Sequence, residues 1–394
     1  MPLLVFARKS GAALIRSVRG IVWRRFVTLE SIKRVLSVTL SVAVAHLLNC
    51  DDKWWVAISA FMVMRSGWSD SVQRGVHRVV GTVCGALLGY WIAPWASGHP
   101  LVFVVVLCVV TWAGMFASLI FNYGYGWTLT TVTFVMIFFE GFRNTTALSH
   151  FAISRVVDVG VGTLTCVGVA AVFDPVVRSF VRRALGRSTA SAAASATADF
   201  AAAASAADAV AAPSAAQKTD QRVASPQYAA GALLASQAAI AVVVLALLAS
   251  YLRLSIFPQA MVSVIAVLIV PLQAAPDVIA NAVTTRMMHR FLGCLLAGLL
   301  AFALLHVAGP YPGWSLLMLA GGVWLGSYIQ AGPQTSYIGT QFTVAFIMVF
   351  VQDHPWASDL SLAFERLMGI IAGIAVLALV MSIPRLPARF LRHR

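Results

Sequence analysis

Two uninterrupted apolar runs set the terms for everything else in this chain. Leu101–Phe121 reads "LVFVVVLCVVTWAGMFASLIF" and Ile240–Leu252 reads "IAVVVLALLASYL", with no charged residue in either. Stretches of this length suit membrane spans better than the strands of a soluble core. Composition agrees. Charged residues make up 11% of the 394 positions, against about 25% in a soluble domain. The mean hydropathy is +0.86. Length alone would fit two or three soluble domains, but Pro/Gly and short polar breaks separate apolar runs along the whole chain. Lipid cannot satisfy open backbone groups, so those runs must be helices. The expected fold is all-α, a polytopic membrane protein of about 12 transmembrane helices. The second, eighth and eleventh of them are short for a full crossing.

The sequence also says something twice. "HRVVGTVCGALLGY" at 77–90 returns as "HRFLGCLLAGLLAF" at 289–302, an offset of 212 residues. At the same offset "FVMIFF" at 134–139 matches "FIMVFV" at 346–351, and Tyr125 matches Tyr337. "ISRVVDVGVG" aligns with "FERLMGIIAG", setting Arg155 against Arg366. An even number of spans per copy makes the copies parallel, so the expectation is two parallel six-helix repeats.

Charge gives the orientation. The net charge is +14, which in a soluble protein would suggest nucleic acid. Here the basic residues gather beside apolar segments, from Arg8 to Lys33 and Arg34 before the first span and from Arg178 to Arg187 after the sixth. That is the pattern of cytoplasmic membrane flanks, and no nucleic-acid partner is expected. The basic amino terminus is too long for a cleaved signal and is read as leading into a retained span. The division expected is a basic cytoplasmic segment at 1–31, a first membrane repeat at 32–177 and an Ala-rich cytoplasmic linker at 178–231. A second repeat at 232–382 and a basic cytoplasmic tail at 383–394 follow, with both termini cytoplasmic in a bacterial inner membrane.

Within that frame a few polar residues stand out. Arg78 and Arg290 are placed at the cytoplasmic starts of helices 3 and 9, where a guanidinium fork and free N–H groups together attract a carboxylate. The alternative is that they anchor the membrane side. The glycines behind them, Gly81, Gly85 and Gly89 with Gly293 and Gly298, read as close helix contacts. "NYGYGWTLTT" and "PQTSYIGTQFT" bring Asn122, Tyr123, Tyr125 and Thr130, and Gln334, Tyr337 and Thr340, to matching positions at the starts of helices 5 and 11. They read either as a lining for a small aromatic acid or as an interfacial belt. Arg155 and Asp158, three apart, read as a buried pair. Asp158 is the first choice for carrying a proton, with His77, His289 and Glu365 behind it. The five cysteines have no metal spacing, and no nucleophile–His–acid set, phosphate loop or Walker motif is present. No enzymatic activity, cofactor or metal is expected.

The two "HR..G" segments, the polar starts of helices 5 and 11 and the "ERLMGIIAG" ending resemble the fusaric acid resistance and aromatic acid exporter family. The resemblance covers both membrane halves and not the linker. It implies an inner-membrane protein that exports aromatic carboxylic acids, in some members with a periplasmic adaptor and an outer-membrane channel. It gives Arg78, Arg290, Arg155 and Arg366 the standing of family-like positions. The function expected is therefore export of small organic anions, with proton coupling left open. The alternatives are an anion channel and a non-transporting membrane assembly protein. A homo-oligomer is an open option, and membrane lipid is the surrounding partner.

Overall fold

The computed structural model describes residues 25–174, 224–252, 257–272, 276–308, 312–351 and 360–383. Among them are twelve α-helices and no strand: α1 Arg25–Leu47, α2 Lys53–Val63, α3 Trp68–Ala96, α4 Pro100–Ile120, α5 Gly124–Arg143, α6 Leu148–Asp174, α7 Ala224–Leu252, α8 Phe257–Leu268, α9 Pro276–Ala308, α10 Pro312–Gln330, α11 Ser336–Phe350 and α12 Leu360–Ser382. Helix number and order follow the apolar runs of the sequence. The basic segment before residue 25, the alanine-rich stretch as far as residue 223 and the tail after residue 383 lie outside the described residues.

Among the described residues five segments are long and apolar enough to cross a membrane: Trp68–Ala96, Pro100–Ile120, Leu148–Asp174, Gln227–Leu252 and Val278–Leu305. The expected shortness of the second, eighth and eleventh helices holds, at 11, 12 and 15 residues. At 1.5 Å per residue they reach roughly 16 to 22 Å, short of a hydrocarbon core of about 30 Å.

The described residues divide into two compact units, and the dividing points among them fall inside α3, α6, α9 and α12. One unit takes the described residues up to Val79, from Val157 to Asp174 and from Met288 to Ala363; the other takes those from Val80 to Val156, from Ala224 to Met287 and from Phe364 to Ile383. In the first unit α1 packs on α10 and α2, and α11 packs on α10 and α2. Its core brings Val38 and Val42 of α1, Trp54 and Phe61 of α2, and Leu319 of α10 against Phe342, Phe346 and Phe350 of α11. In the second unit α7 packs on α4 and α8, and α5 packs on α4 and α8. Its core is aromatic: Phe138 stacks on Phe103 at 5.2 Å and on Phe134 at 5.2 Å, and Phe139 meets Phe257 of α8 at 3.9 Å.

Close contacts recur in both units, the first two kinds at the 212-residue spacing. Gly81 lies against the Gly126 carbonyl and Gly293 against the Ile338 carbonyl. Gly114 meets the Thr131 hydroxyl and Gly326 the Thr343 hydroxyl. Gly162 rests on the Val56 carbonyl of α2, and Gly373 on the Ala260 carbonyl of α8. At these last two a methyl group would run into backbone, so only glycine lets α6 and α12 come so close. Gly298, by contrast, has open space around its Cα.

Which side chains point inward also matters. On α1 the exposed positions include Ile32, Leu36, Leu40 and Leu47, whereas Glu30, Ser31, Lys33, Arg34, Ser37 and Ser41 are buried. The exposed face of α4 carries Leu101, Val102, Val105, Val109 and Trp112, with Thr111 and Ser118 inside. Large apolar groups outside and polar groups inside suit lipid and would be costly in water.

Candidate functional site

The polar stripe of α1 is the foundation of the site. Positions 30, 33, 34, 37 and 41 recur at helical spacing and fall on one face. All five are at most 4% exposed. A buried charge must find partners or it costs several kcal/mol. Lys33 finds three. Its Nζ donates to Asp174 Oδ1 at the end of α6 at 2.8 Å and to the Ser66 carbonyl at 3.1 Å, and lies 3.3 Å from Glu30 Oε1. An ammonium has three hydrogens, so this donor set is full. Arg34, its neighbour, donates through Nη1 to Gln330 Oε1 of α10 at 2.7 Å.

The segment that Lys33 holds is not helical. α2 stops at Val63, Met64 is extended, and residues 64–67 bridge to α3. Unwound backbone away from water needs donors and acceptors from elsewhere. Arg74 Nε donates to the Met62 carbonyl at 2.8 Å, and the Arg65 N–H donates to Ser71 Oγ at 2.9 Å. Arg78, one turn beyond Arg74, is buried. Its charge acts together with those of Lys33 and Arg34 on Cys166 of α6, which also lies beside Ser37. The interior where α1, α3 and α6 meet thus carries Glu30, Lys33, Arg34, Arg78 and Asp174.

Three sequence expectations are corrected here. Arg78 and Arg290 do not open their helices. α3 begins at Trp68 and α9 at Pro276, so the arginines sit about 15 and 21 Å inside. α3 continues upstream because Asp70 stands in its first turn, where a carboxylate favours a helix start, and no proline interrupts 68–78. α9 opens on a proline, which suits the first helical position. The free N–H groups invoked for carboxylate binding are therefore absent at both arginines. Lys33 and Arg34, read as a membrane flank, are interior residues of α1.

The other expected residues spread over both units. In the first unit Arg290 Nη1 donates to Gln341 Oε1 of α11, and both are buried. Tyr337 and Thr340 on the same helix are half-buried, and Thr340 returns its hydroxyl to the Ser336 carbonyl at 3.1 Å. Gln334 is exposed in the preceding turn. Asp158 is buried with the Cys50 thiol beside its carboxylate. His77 and His289 are half-buried. In the second unit Tyr125 is buried, whereas Asn122 and Tyr123 are exposed in the turn before α5. Tyr123 caps that helix in the left-handed region at φ 64°. Thr130 donates to the Gly126 carbonyl at 3.1 Å. Arg155 is buried with its guanidinium 4.8 Å from the Phe151 ring. Glu365 is exposed, and the Arg366 side chain lies outside the described residues.

Sequence reasoning passed over Glu30, Asp174, Gln330, Gln341, Arg74 and Arg286. Two of these carried a signal. Arg74 and Arg286 stand four residues before Arg78 and Arg290, on the same face of a helix, and all four arginines are buried. The polar register of α1 is the other signal.

The chain matches no curated protein and no solved structure. A sequence family does match, over residues 40–169 and 279–380, which is more than half of the chain. Arg78, Arg290, Arg155, Arg366 and Asp158 fall inside the matched stretches, while Glu30, Lys33, Arg34 and Asp174 fall outside them. The chain belongs to the family described as fusaric acid resistance protein-like.

Proposed function

We propose that this protein exports small organic anions, chiefly aromatic carboxylic acids, across a bacterial inner membrane. It does so through twelve helices in two parallel repeats, with both termini in the cytoplasm. The observation that carries the reading is the set of cationic side chains buried in otherwise apolar helices with lipid-like outer faces: Lys33, Arg34, Arg74, Arg78, Arg155, Arg286 and Arg290. Membrane interiors hold such residues where an ion or substrate passes, because each must be offset by a partner. Family membership supports transport, and the recurrence of the Gly81 and Gly114 contacts at Gly293 and Gly326 supports duplication.

Arg78 and Arg290 attract the carboxylate through bidentate hydrogen bonding, within the bundle rather than at a helix end. Gln341, held by Arg290, orients that guanidinium and gives way to the substrate. Tyr337, on the helix of Gln341, offers a ring face to an aromatic acid. An inside-negative potential drives anion exit at roughly 2.3 kcal/mol per charge per 100 mV. A periplasmic adaptor and an outer-membrane channel would carry the product onward.

The test is flux of radiolabelled benzoate and a panel of aromatic and aliphatic acids in vesicles reconstituted with the purified protein. Saturable, competitive uptake is expected. Arg78→Gln and Arg290→Gln should each lower it about tenfold or more, as a lost charged hydrogen bond of about 1.5–3 kcal/mol implies. Ohmic anion conductance without saturation would make the protein a channel. Absence of flux for every acid would end the transport reading.

A further inference from the structure

Lys33 is shared by two acids. Its Nζ is 2.8 Å from Asp174 Oδ1 and 3.3 Å from Glu30 Oε1. Each carboxylate uses one oxygen on the ammonium. The other oxygens, Glu30 Oε2 and Asp174 Oδ2, are buried and take no hydrogen bond. Both residues are at least 95% buried, with Glu30 4% and Asp174 5% exposed. Two carboxylates facing one cation repel each other, and the ordinary relief is a single proton on one of them. A carboxylate oxygen lacking a donor in the interior also costs free energy that a proton removes. A metal cation is disfavoured there, because the ammonium already occupies the position between the acids.

The surrounding charges are few. From α1, Lys33 and Arg34 face Glu30, and Asp174 faces it from α6. Arg34 is engaged with Gln330 of α10. From α3, Arg78 reaches Cys166 and Arg74 binds the Met62 carbonyl. Lys33 completes its donor set on Ser66, in the unwound link between α2 and α3.

We propose that Glu30 and Asp174, bridged by Lys33, form one proton-binding site of this protein. A proton taken from water goes to one of the two free carboxylate oxygens. That acid then gives up most of its attraction for the ammonium, and the hold of Lys33 on the 64–67 link changes with it. The site thereby ties proton uptake to the segment that carries Arg74 and Arg78 into the bundle. Its role as a coupling site rests on the transport reading above; its existence as a proton site does not.

Two measurements separate those claims. The first is infrared spectroscopy of the full-length protein in lipid films during a pH titration. The C=O stretching band of a protonated carboxyl should grow as pH falls. Glu30→Gln and Asp174→Asn should each remove it, and Asp174→Glu should keep it at a shifted position. If Asp174→Asn fails to fold, Glu30→Gln alone decides, since the two acids share one proton. A titration without that band, or a band unchanged in the variants, overturns the proposal. The second is benzoate transport in vesicles. After subtraction of the uptake by protein-free vesicles, both neutral variants should lower benzoate accumulation driven by a pH gradient by a larger factor than benzoate counterflow. Accumulation equal to that of the unmodified protein would overturn the coupling role. If the unmodified protein moves no benzoate, the transport reading fails, and the infrared result still decides the proton site.

Discussion

The two compact units place helices against each other in the same way and fill the interior differently. α1, α2, α10 and α11 in one correspond in their packing to α7, α8, α4 and α5 in the other. Buried positions correspond along the sequence as well. Between α1–α2 and α7–α8 the offset is 204 residues, the register that sets Val56 against Ala260 beneath Gly162 and Gly373. In that register Val38, Val42 and Ala45 of α1 stand where Val242, Ala246 and Ala249 stand on α7, and all six are buried. At the positions where α1 carries charge, α7 carries none. Glu30 corresponds to Leu234, Lys33 to Gln237, Arg34 to Ala238 and Ser37 to Ala241. Gln330, the partner of Arg34, corresponds to Ser118. A shared packing plan thus tolerates two kinds of interior. The difference teaches that the apolar contacts hold the helices, and that the charges of α1 serve something else.

That division is most easily broken at Lys33. Lys33→Ala leaves Glu30 and Asp174 buried without their cation, which should cost about 3–5 kcal/mol in a denaturation experiment on the solubilised protein. At the corresponding position Gln237 has a buried Oε1 without a hydrogen bond. Gln237→Leu should therefore leave stability unchanged or raise it by up to about 1 kcal/mol. Equal losses at the two positions would mean that the units do not differ as their interiors suggest. Gln330→Ala comes next. It removes the acceptor of a charged donor and should cost about 1.5–3 kcal/mol, while Ser118→Ala should cost under about 1 kcal/mol. Thermal unfolding of the two single variants side by side reads this contrast.

How much of this was written in the sequence depends on distance along the chain. The helices were legible, because each apolar run is local and the breaks between them are Pro, Gly or polar. The shortness of α2, α8 and α11 was legible for the same reason. The spacing of 212 residues that recurs in Gly81 and Gly293 was legible as repeated text. The site was not. A lysine and an arginine near the start of an apolar run look alike whether they flank lipid or face inward. What settles it is Asp174, 141 residues away, and Gln330, 296 residues away. The clue at hand was register: 30, 33, 34, 37 and 41 lie on one face, and a flank has no reason to keep such a face. Asn122, Tyr123 and Gln334 could not be placed from the sequence either. Their chemistry suited a lining, but they precede the first helical residue of α5 or α11 and turn outward.

The smallest expected effect tests the sameness of the units rather than their difference. Ser59 of α2 donates to the Trp55 carbonyl at 2.7 Å, and Ser263 of α8 donates to the Gln259 carbonyl at 2.7 Å. Both serines are fully buried and each lies one turn after the carbonyl that touches Gly162 or Gly373. The acceptor in each case also belongs to a helix, so loss of the hydroxyl leaves no carbonyl wholly without a partner. Ser59→Ala and Ser263→Ala should each change stability by less than about 1 kcal/mol, and by the same amount within about 0.5 kcal/mol. A larger loss at Ser59 alone would mean that the charged interior reaches α2 through more than Ser66. The helix-packing plan would then no longer be separable from the charges placed on it.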